Sequence, residues 1–261
     1  MTRVALCISG QPRKALETFP SIFKNIIEPN NADVFIHMNY ASHINYIEKG
    51  HLDNGTCMYP EDIGSKVLEL YKPVRYLIES PKNLLNPNLD VAESRVESYL
   101  KMNKHRNMTN NQMKQHMTKQ LLSMFYSIYK CNELKEVFAN ENGFVYDYVI
   151  RLRFDACPSN PLICSTYNPN FIYYQDLGQP DNLISDWFNF GSNAIMNIYA
   201  SLYLHSEYLN TFQYFKQSDR LANTIEASNT CSGINEFMVR DIMTLFKIPK
   251  ISIDIGLKLL Y

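Results

Sequence analysis

Apolar residues in the first eighty positions form three short, nearly unbroken runs, at residues 3–9, 32–37 and 74–79. Runs of this length and composition are typical of strands that are buried on both faces of a sheet. Helices are predicted between them at residues 15–27 and 60–71, with a proline just after the first and at the start of the second. Strands that alternate with helices predict an α/β fold with a mostly parallel, doubly wound central sheet flanked by helices.

One long helical pattern and one buried strand dominate the rest of the chain. Apolar residues recur at three- and four-residue steps over residues 117–134, and a strand rich in aromatic and β-branched residues follows at 146–153. The irregular segment 80–110 is predicted to be a surface excursion or lid. Further strands are predicted at 171–174 and 186–191, and further helices at 193–208 and 235–246. Since neither a linker nor a repeat interrupts this pattern, residues 1–261 are predicted to form one domain.

Composition and charge exclude several classes of function. A net charge of −1, with 46% hydrophobic and 20% charged residues, gives no electrostatic pull towards nucleic acid or anionic membrane. With no signal peptide, no membrane span and no zinc-binding cysteine spacing, a cytoplasmic location is expected. The interval 154–215 contains no Lys or Arg but carries several Asp and aromatic residues, which suits a neutral polyhydroxyl ligand or a cation.

A cluster of charges ends the predicted strand at 146–153. Arg151, Arg153 and Asp155 follow one another at two-residue spacing. Open α/β sheets bind ligands at the carboxyl ends of their strands, where Arg can bind phosphate oxygens and Asp can ligate Mg²⁺ or Mn²⁺. The cluster therefore predicts a phosphate-bearing ligand with a divalent cation. A structural Arg–Asp ion pair is the alternative, and the segment alone does not separate the two.

The turn after the first strand is a second candidate contact. Its sequence is Ser9-Gly10-Gln11-Pro12-Arg13, in which the glycine permits close approach of a ligand and the arginine supplies positive charge. It lacks the diagnostic residues of a P-loop and of a dinucleotide-binding fingerprint. A nucleotide-contacting turn and a plain structural turn both remain open.

Two later carboxylates are candidates for acid–base chemistry. Asp186 precedes the only tryptophan, Trp187, and an aromatic strand that contains Phe190, and sugar sites combine an aromatic face with a carboxylate in this way. Glu236 lies at the start of a predicted helix, where it would either stabilise the first turn or act as a base. The alternative for the Asp186 segment is a core strand, followed by a helix with Ser192 as its N-cap.

Four blocks of the chain, residues 4–13, 32–37, 146–155 and 186–192, occur in the order and spacing of a known family. Together they resemble small GT-A-type glycosyltransferases of the kind encoded by large DNA viruses, algae and some bacteria. The resemblance covers most of the chain. The family's usual Asp-x-Asp is here Arg153-Phe154-Asp155, and Asn235-Glu236 stands where related chains often have Pro-Glu.

The resemblance implies an enzyme that moves a sugar from a nucleotide diphosphate, UDP in preference to GDP, to a hydroxyl of a glycan or glycoprotein. Residues 1–155 would form the nucleotide-binding half of a GT-A-like domain, and residues 156–261 the sugar and acceptor half. A viral origin would place the protein in the host cytoplasm. A non-catalytic glycan- or nucleotide-binding protein on the same fold is the alternative.

The resemblance also implies roles for individual residues. The residues that would contact the nucleotide and its diphosphate are Ser9, Gly10, Gln11, Arg13, Arg151 and Arg153. Asp155 would hold a divalent cation, Mn²⁺ or Mg²⁺. Trp187 and Phe190 would contact the sugar or the acceptor, and Asp186 and Glu236 would be the catalytic carboxylates. Asp186 is the favoured base of the two, since its aromatic neighbours would remove water from it.

Overall fold

The computed structural model of the protein describes residues 2–41, 46–48, 56–84, 109–176, 184–205 and 234–260. The strands are β1 (Val4–Gly10), β2 (Asp33–Asn39), β3 (Tyr46–Glu48), β4 (Thr56–Met58), β5 (Arg75–Glu79), β6 (Tyr148–Leu152), β7 (Ala156–Cys157), β8 (Ile172–Gln175), β9 (Phe188–Ser192), β10 (Lys250–Ile253) and β11 (Lys258–Leu259). The helices are α1 (Ala15–Ile22), α2 (Ile63–Tyr71), α3 (Asn110–Glu141), α4 (Asn193–Ala200) and α5 (Ile234–Leu245). A π-helical turn, Phe23–Ile27, continues α1. None of these helices combines the length and the apolarity that crossing a bilayer requires.

The central sheet has seven strands in the order β10-β8-β9-β6-β1-β2-β5. All pairs are parallel except those of β9, which runs antiparallel to both β6 and β8. The prediction of an α/β fold with a mostly parallel sheet flanked by helices is therefore confirmed. Strand β10 was not predicted, because its residues at the edge of the sheet are partly exposed and lack an unbroken buried run.

Alternation along β1 shows why this sheet carries helices on both faces. Leu6 and Ile8 belong to a core with α1 and α2, whereas Ala5 and Cys7 belong to a second core with α3, α4 and α5. Successive side chains of a strand point to opposite faces, so an apolar run such as β1 is buried only if both faces are covered.

The strand order reverses beside β1. The chain first moves from β1 to β2 and β5 on one side, and α3 then returns it to β6 on the other side of β1. In open α/β sheets such a reversal leaves a crevice outside the carboxyl ends of the two strands, where ligands bind. The turns after β1 and β6 lie at this crevice.

The reversed direction of β9 brings a further segment to the same edge. Leu152 at the carboxyl end of β6 pairs with Phe188 at the start of β9. Residues that precede β9 therefore lie at the edge where the parallel strands end. Asp186 and Trp187 reach the crevice in this way, although β6 and β9 are far apart in sequence.

Helix α3 forms a wall beside this edge. Thr109 caps its first turn by accepting a hydrogen bond from the backbone of Gln112, and the Gln112 side chain bonds back to Thr109. Asn39, at the end of β2, donates a hydrogen bond to Ser127 at 2.6 Å. Residues 110–122 of α3 precede this contact and span roughly 20 Å of helix at 1.5 Å per residue.

Two predicted boundaries differ from the structure. The helix predicted at 193–208 ends at Ala200, where the 3₁₀ turn Ser201–Tyr203 follows, and residues 206–208 lie outside the described residues. Most of the predicted lid, residues 85–108, also lies outside them. The predicted helix at 235–246 agrees with α5 to within one residue at each end.

A fully buried lysine joins α3 to α4. The ammonium group of Lys135 donates to the side-chain oxygens of Asn193 and Asn197, the latter at 2.9 Å, and forms an ion pair with Glu136 at 2.7 Å. Burial lowers the pKa of Lys135, and Glu136 opposes this shift. Because its three acceptors are in place, this buried charge is a structural connection between the two helices.

We expect Lys135→Met to lower the free energy of unfolding by about 2 kcal/mol, because buried acceptors on α4 would lose their donor. Lys119→Met is the matched control, since Lys119 is an exposed lysine of the same helix and its replacement should change stability by less than about 0.5 kcal/mol. Urea denaturation of the three proteins measures the difference. Equal stability of both variants would contradict the structural role of Lys135.

Candidate functional site

The turn after β1 has a backbone that only a few residue types adopt readily. Gly10 has a φ of 120°, and a side chain added there would meet no atom within 4 Å, so the backbone conformation rather than crowding calls for glycine. The backbone N–H of Arg13 donates to the hydroxyl of Tyr59 at 2.9 Å, and that of Ala15 donates to Pro12 at 2.8 Å. These bonds hold Arg13 at the start of α1, facing the turn after β6.

Asp155 lies between two arginines at this point. The carboxylate is 1% exposed and accepts hydrogen bonds from Arg153 Nε at 2.9 Å, Arg153 Nη2 at 2.7 Å and Arg13 Nη1 at 2.6 Å. Arg153 and Arg13 themselves are 17% and 34% exposed. The cluster is therefore an ion pair that buries its carboxylate, while its guanidiniums remain accessible and leave one net positive charge.

The two arginines determine the protonation state of Asp155. Burial by itself would raise the pKa of the carboxyl, but the adjacent Arg153 and Arg13 lower it to about 2. Asp155 is consequently ionised throughout the neutral range. The structure thus contains the Arg–Asp ion pair that was the alternative to a ligand site, and the accessible guanidiniums are compatible with both.

The surroundings of Asp155 do not fit a divalent cation in this arrangement. Both carboxylate oxygens already accept hydrogen bonds from guanidiniums, and a cation bound there would lie next to two positive charges. Within the described ranges no three His, Cys, Asp or Glu side chains come together as a metal-binding group. The cation assigned to Asp155 stays a prediction.

Arg151 lies in a different environment from Arg153. It is 3% exposed and pairs with Cys7 of β1 and Asn189 of β9, on the face of the sheet that α3 and α4 cover. Its Nε and Nη1 atoms have no hydrogen-bond partner among the described residues. Burial lowers the pKa of Arg151, whereas attraction by Tyr199 and Asp186 opposes this shift. Arg151 and Arg153 were predicted to act together, but the structure gives them different partners.

The segment before β9 lies beside Arg153. The carbonyl of Trp187 accepts a hydrogen bond from the Arg153 backbone at 3.2 Å, and the Trp187 backbone donates to the Ser185 hydroxyl at 3.1 Å. Asn189 donates to the Ser185 carbonyl at 2.8 Å and fixes the segment to β9. Asp186 is buried and Trp187 is half-buried, so two of the predicted sugar-side residues lie at the crevice.

Phe190 lies in the core and not at the crevice. Its side chain is fully buried and its ring is stacked on Tyr173, with the centroids 4.7 Å apart. Alternation along β9 turns its ring towards the core shared with α1 and α2. The contact of Phe190 with a sugar stays a prediction. The side chain of Glu236 lies outside the described residues, and its predicted role is unchanged.

The remaining residues of the predicted nucleotide turn differ in exposure. Ser9 is buried on the α3 face of β1, and its hydroxyl has no hydrogen-bond partner among the described residues. Gly10 and Gln11 are half-buried beyond the end of the strand. The turn therefore presents Gly10, Gln11 and Arg13 at the crevice, while Ser9 lies beneath it.

A polar cluster at the ends of β2 and β5 was not predicted. Fully buried His37 shares a hydrogen bond of 2.9 Å with Glu79, which also pairs with Lys82 at 2.9 Å, and Lys82 contacts the hydroxyl of Tyr126 on α3. Burial lowers the pKa of His37. Burial alone would raise the pKa of Glu79, but its hydrogen bonds to His37 and Lys82 lower it to about 2. The sequence signal that could have revealed this cluster is a polar residue near the carboxyl end of each strand, His37 in β2 and Glu79 in β5.

Comparison with known proteins adds no family to this description. No protein-family model matches the chain, and no curated protein is significantly similar to it.

We expect Asp155→Asn to lower the free energy of unfolding by about 2–3 kcal/mol at neutral pH, since the charged hydrogen bonds of Arg13 and Arg153 would be lost. The pKa of Asp155 is depressed from 3.8 to about 2, so this stability is present above pH 4 and is lost as the pH falls towards 2. The difference between wild type and variant should therefore shrink over that range. Urea titrations at several pH values measure it.

Asp62→Asn is the matched control for this experiment. Asp62, the residue before α2, pairs with exposed Lys66 at 3.0 Å, and an exposed salt bridge contributes less than about 1 kcal/mol. If Asp155→Asn were as stable as Asp62→Asn, the buried ion cluster would not be a structural element of this edge.

Proposed function

We propose that the protein is a glycosyltransferase that moves a sugar from a nucleotide diphosphate, UDP in preference to GDP, to a hydroxyl of a glycan acceptor. The observation that supports this most strongly is the Arg13–Asp155–Arg153 cluster at the strand-order reversal. In this proposal the described sheet belongs to a GT-A-like domain, with the nucleotide half before residue 156 and the sugar half after it.

The charge of the cluster suits a diphosphate. Asp155 neutralises one guanidinium, and the net positive charge left on Arg13 and Arg153 faces a crevice outside the strand ends. Guanidinium groups bind phosphate oxygens in pairs and stabilise the negative charge that develops on a departing diphosphate. Because Asp155 holds both side chains in place, little reorganisation would be needed during the reaction.

The segment before β9 supplies the sugar and acceptor side of the proposed site. Trp187 offers part of an aromatic face, and Asp186 offers a carboxylate close to the same crevice. In an inverting enzyme, Asp186 would accept the proton of the acceptor hydroxyl as that oxygen attacks the anomeric carbon and the bond to the diphosphate breaks. A retaining enzyme would use the same donor contacts without this base.

The predicted Mn²⁺ or Mg²⁺ is the part of the proposal that the contacts of Asp155 support least. When bound to a nucleotide sugar, such a cation neutralises the diphosphate. Here the two arginines already supply positive charge, so we propose that they stabilise the leaving group without a cation on Asp155. Transfer that is abolished by EDTA and restored by Mn²⁺ would contradict this.

A non-catalytic glycan- or nucleotide-binding protein on the same fold is the second candidate. The observation that favours it is the full engagement of Asp155 by arginine, which gives this carboxylate a structural role without catalysis. Such a protein would bind nucleotide or glycan but would release no free nucleotide from a donor. Detection of the released nucleoside diphosphate separates the two candidates.

We expect a nucleoside diphosphate at millimolar concentration to raise the melting temperature, because a ligand that binds only the folded state stabilises it by mass action. UDP should give a larger shift than GDP or CDP, with or without Mn²⁺. Arg153→Gln should abolish the shift. Its control is Arg75→Gln, since Arg75 pairs with Glu141 at the opposite end of the sheet. A flat response across all three nucleotides would contradict the proposal.

We expect Asp186→Asn to reduce the transfer rate roughly a hundredfold or more, which is the usual contribution of a positioned base. Glu236→Gln is the comparison, since Glu236 is the other candidate and is expected to orient hydroxyls of the sugar or acceptor. Transfer rates and donor affinities are measured for both variants. If Glu236→Gln were inactive and Asp186→Asn affected only binding, the two roles would be exchanged.

A further inference from the structure

Three polar side chains lie side by side beneath the crevice, on the face of the sheet that α3 and α4 cover. They are Ser9 on β1, Arg151 on β6 and Asn189 on β9, with exposures of 3%, 3% and 0%. Each has a buried polar atom without a hydrogen-bond partner among the described residues: the Ser9 hydroxyl, Nε and Nη1 of Arg151, and the Asn189 side-chain oxygen.

The register of the sheet makes these residues neighbours. Arg151 lies opposite Asn189 across β6 and β9, and opposite Cys7 across β6 and β1. Ser9 follows Cys7 by two positions and therefore shares its face. The three side chains thus span adjacent strands at the carboxyl edge, directly behind Asp186 and Trp187.

Buried polar atoms without partners are costly, at about 1–3 kcal/mol each. Several other buried polar groups are paired: Thr18 donates to Phe154 at 2.6 Å, and Asn25 donates to Pro158 at 2.8 Å. The Nδ1 atom of His37, which lies opposite Ser9 on β2, is a further buried atom without a partner among the described residues. Unpaired groups on three adjacent strands call for an explanation other than stability, and binding of a ligand is such an explanation.

The chemistry of these atoms indicates what they would bind. Arg151 offers two donors, Asn189 offers an acceptor, and the Ser9 hydroxyl can do either. The attraction of Asp186 offsets the charge of Arg151, so this group has little net charge. A phosphate only accepts hydrogen bonds and would use only the donors of this group. Neighbouring hydroxyls of one ligand both donate and accept, so they match the donors and the acceptor together.

We propose that Ser9, Arg151 and Asn189 form a hydroxyl-binding subsite for the sugar of the donor. This inference rests on the proposed glycosyltransferase function and divides the donor between two groups of residues. The accessible cluster of Arg13 and Arg153, with its net positive charge, takes the diphosphate. Ser9, Arg151 and Asn189, which together with Asp186 carry little net charge, bind the sugar. In this arrangement Ser9 and Arg151 contact the sugar rather than the nucleotide.

The test compares UDP with UDP-glucose, UDP-galactose and UDP-N-acetylglucosamine by calorimetric titration of the full chain. In Ser9→Ala, the affinity for the tightest of these nucleotide sugars should fall roughly tenfold, the usual effect of one lost hydrogen bond. The affinity for UDP, which has no sugar, should not change. Arg151→Lys keeps the charge beside Asp186 but removes the unpaired donors, and should give the same pattern with a larger loss.

Ser127→Ala is the matched control, because Ser127 is also buried but accepts a hydrogen bond from Asn39 at 2.6 Å. It should lower the melting temperature and leave every affinity unchanged. Ser9→Ala should leave the melting temperature unchanged or raise it, since an unpaired polar atom is removed. Ser127→Ala should therefore weaken stability without weakening sugar binding, and Ser9→Ala should weaken sugar binding without weakening stability.

Three results would overturn the subsite. An equal loss of affinity for UDP and for the nucleotide sugars would make Ser9 and Arg151 nucleotide contacts. Unchanged affinities in both variants would leave these residues without a role in sugar binding. If the wild-type protein bound none of these nucleotide sugars and none of UDP, GDP and CDP, the proposed function itself would fail, and this would be evident before any variant was made.

Discussion

The buried carboxylate of Asp155, held between Arg13 and Arg153, is the interaction on which the organisation of the sheet edge depends. It joins the turn after β1 to the turn after β6, at the place where the strand order reverses. An isolated carboxylate could not remain ionised there, since burial opposes its charge. Two guanidiniums make the burial possible, and their partial exposure leaves positive charge at the crevice.

The sheet divides the charged groups of this edge into two environments. Arg153 and Arg13 surround a carboxylate and reach solvent, whereas Arg151 points to the α3 and α4 face and is offset by Asp186. The two environments would therefore attract different chemical groups, a phosphate in the first and hydroxyls in the second. This division follows from the pleat of the strands and from the side on which each helix packs.

Sequence patterns predicted the elements whose residues carry a local signal. The parallel strands β1, β2 and β6 were found because runs buried on both faces are continuous in sequence. The apolar run of β5 was also found, although β5 is a partly exposed edge strand. The residues predicted for the site that lie at the crevice are Gly10, Gln11, Arg13, Arg153, Asp155, Asp186 and Trp187. The sequence did not reveal that Phe190 lies in the core, because an aromatic residue in a strand has the same local appearance whether it faces the core or a ligand.

The sequence alone determined the fold class and the positions of charge, since alternation, strand ends and Arg-x-Arg-x-Asp are properties of neighbouring residues. Only the tertiary structure decided the direction of β9, the face towards which Arg151 points and the contact of Arg13 with Asp155. These depend on pairs separated by tens to more than a hundred positions, such as Arg13 and Asp155. Register and strand order bring such pairs together, and neither is encoded in the local pattern of apolar and polar residues.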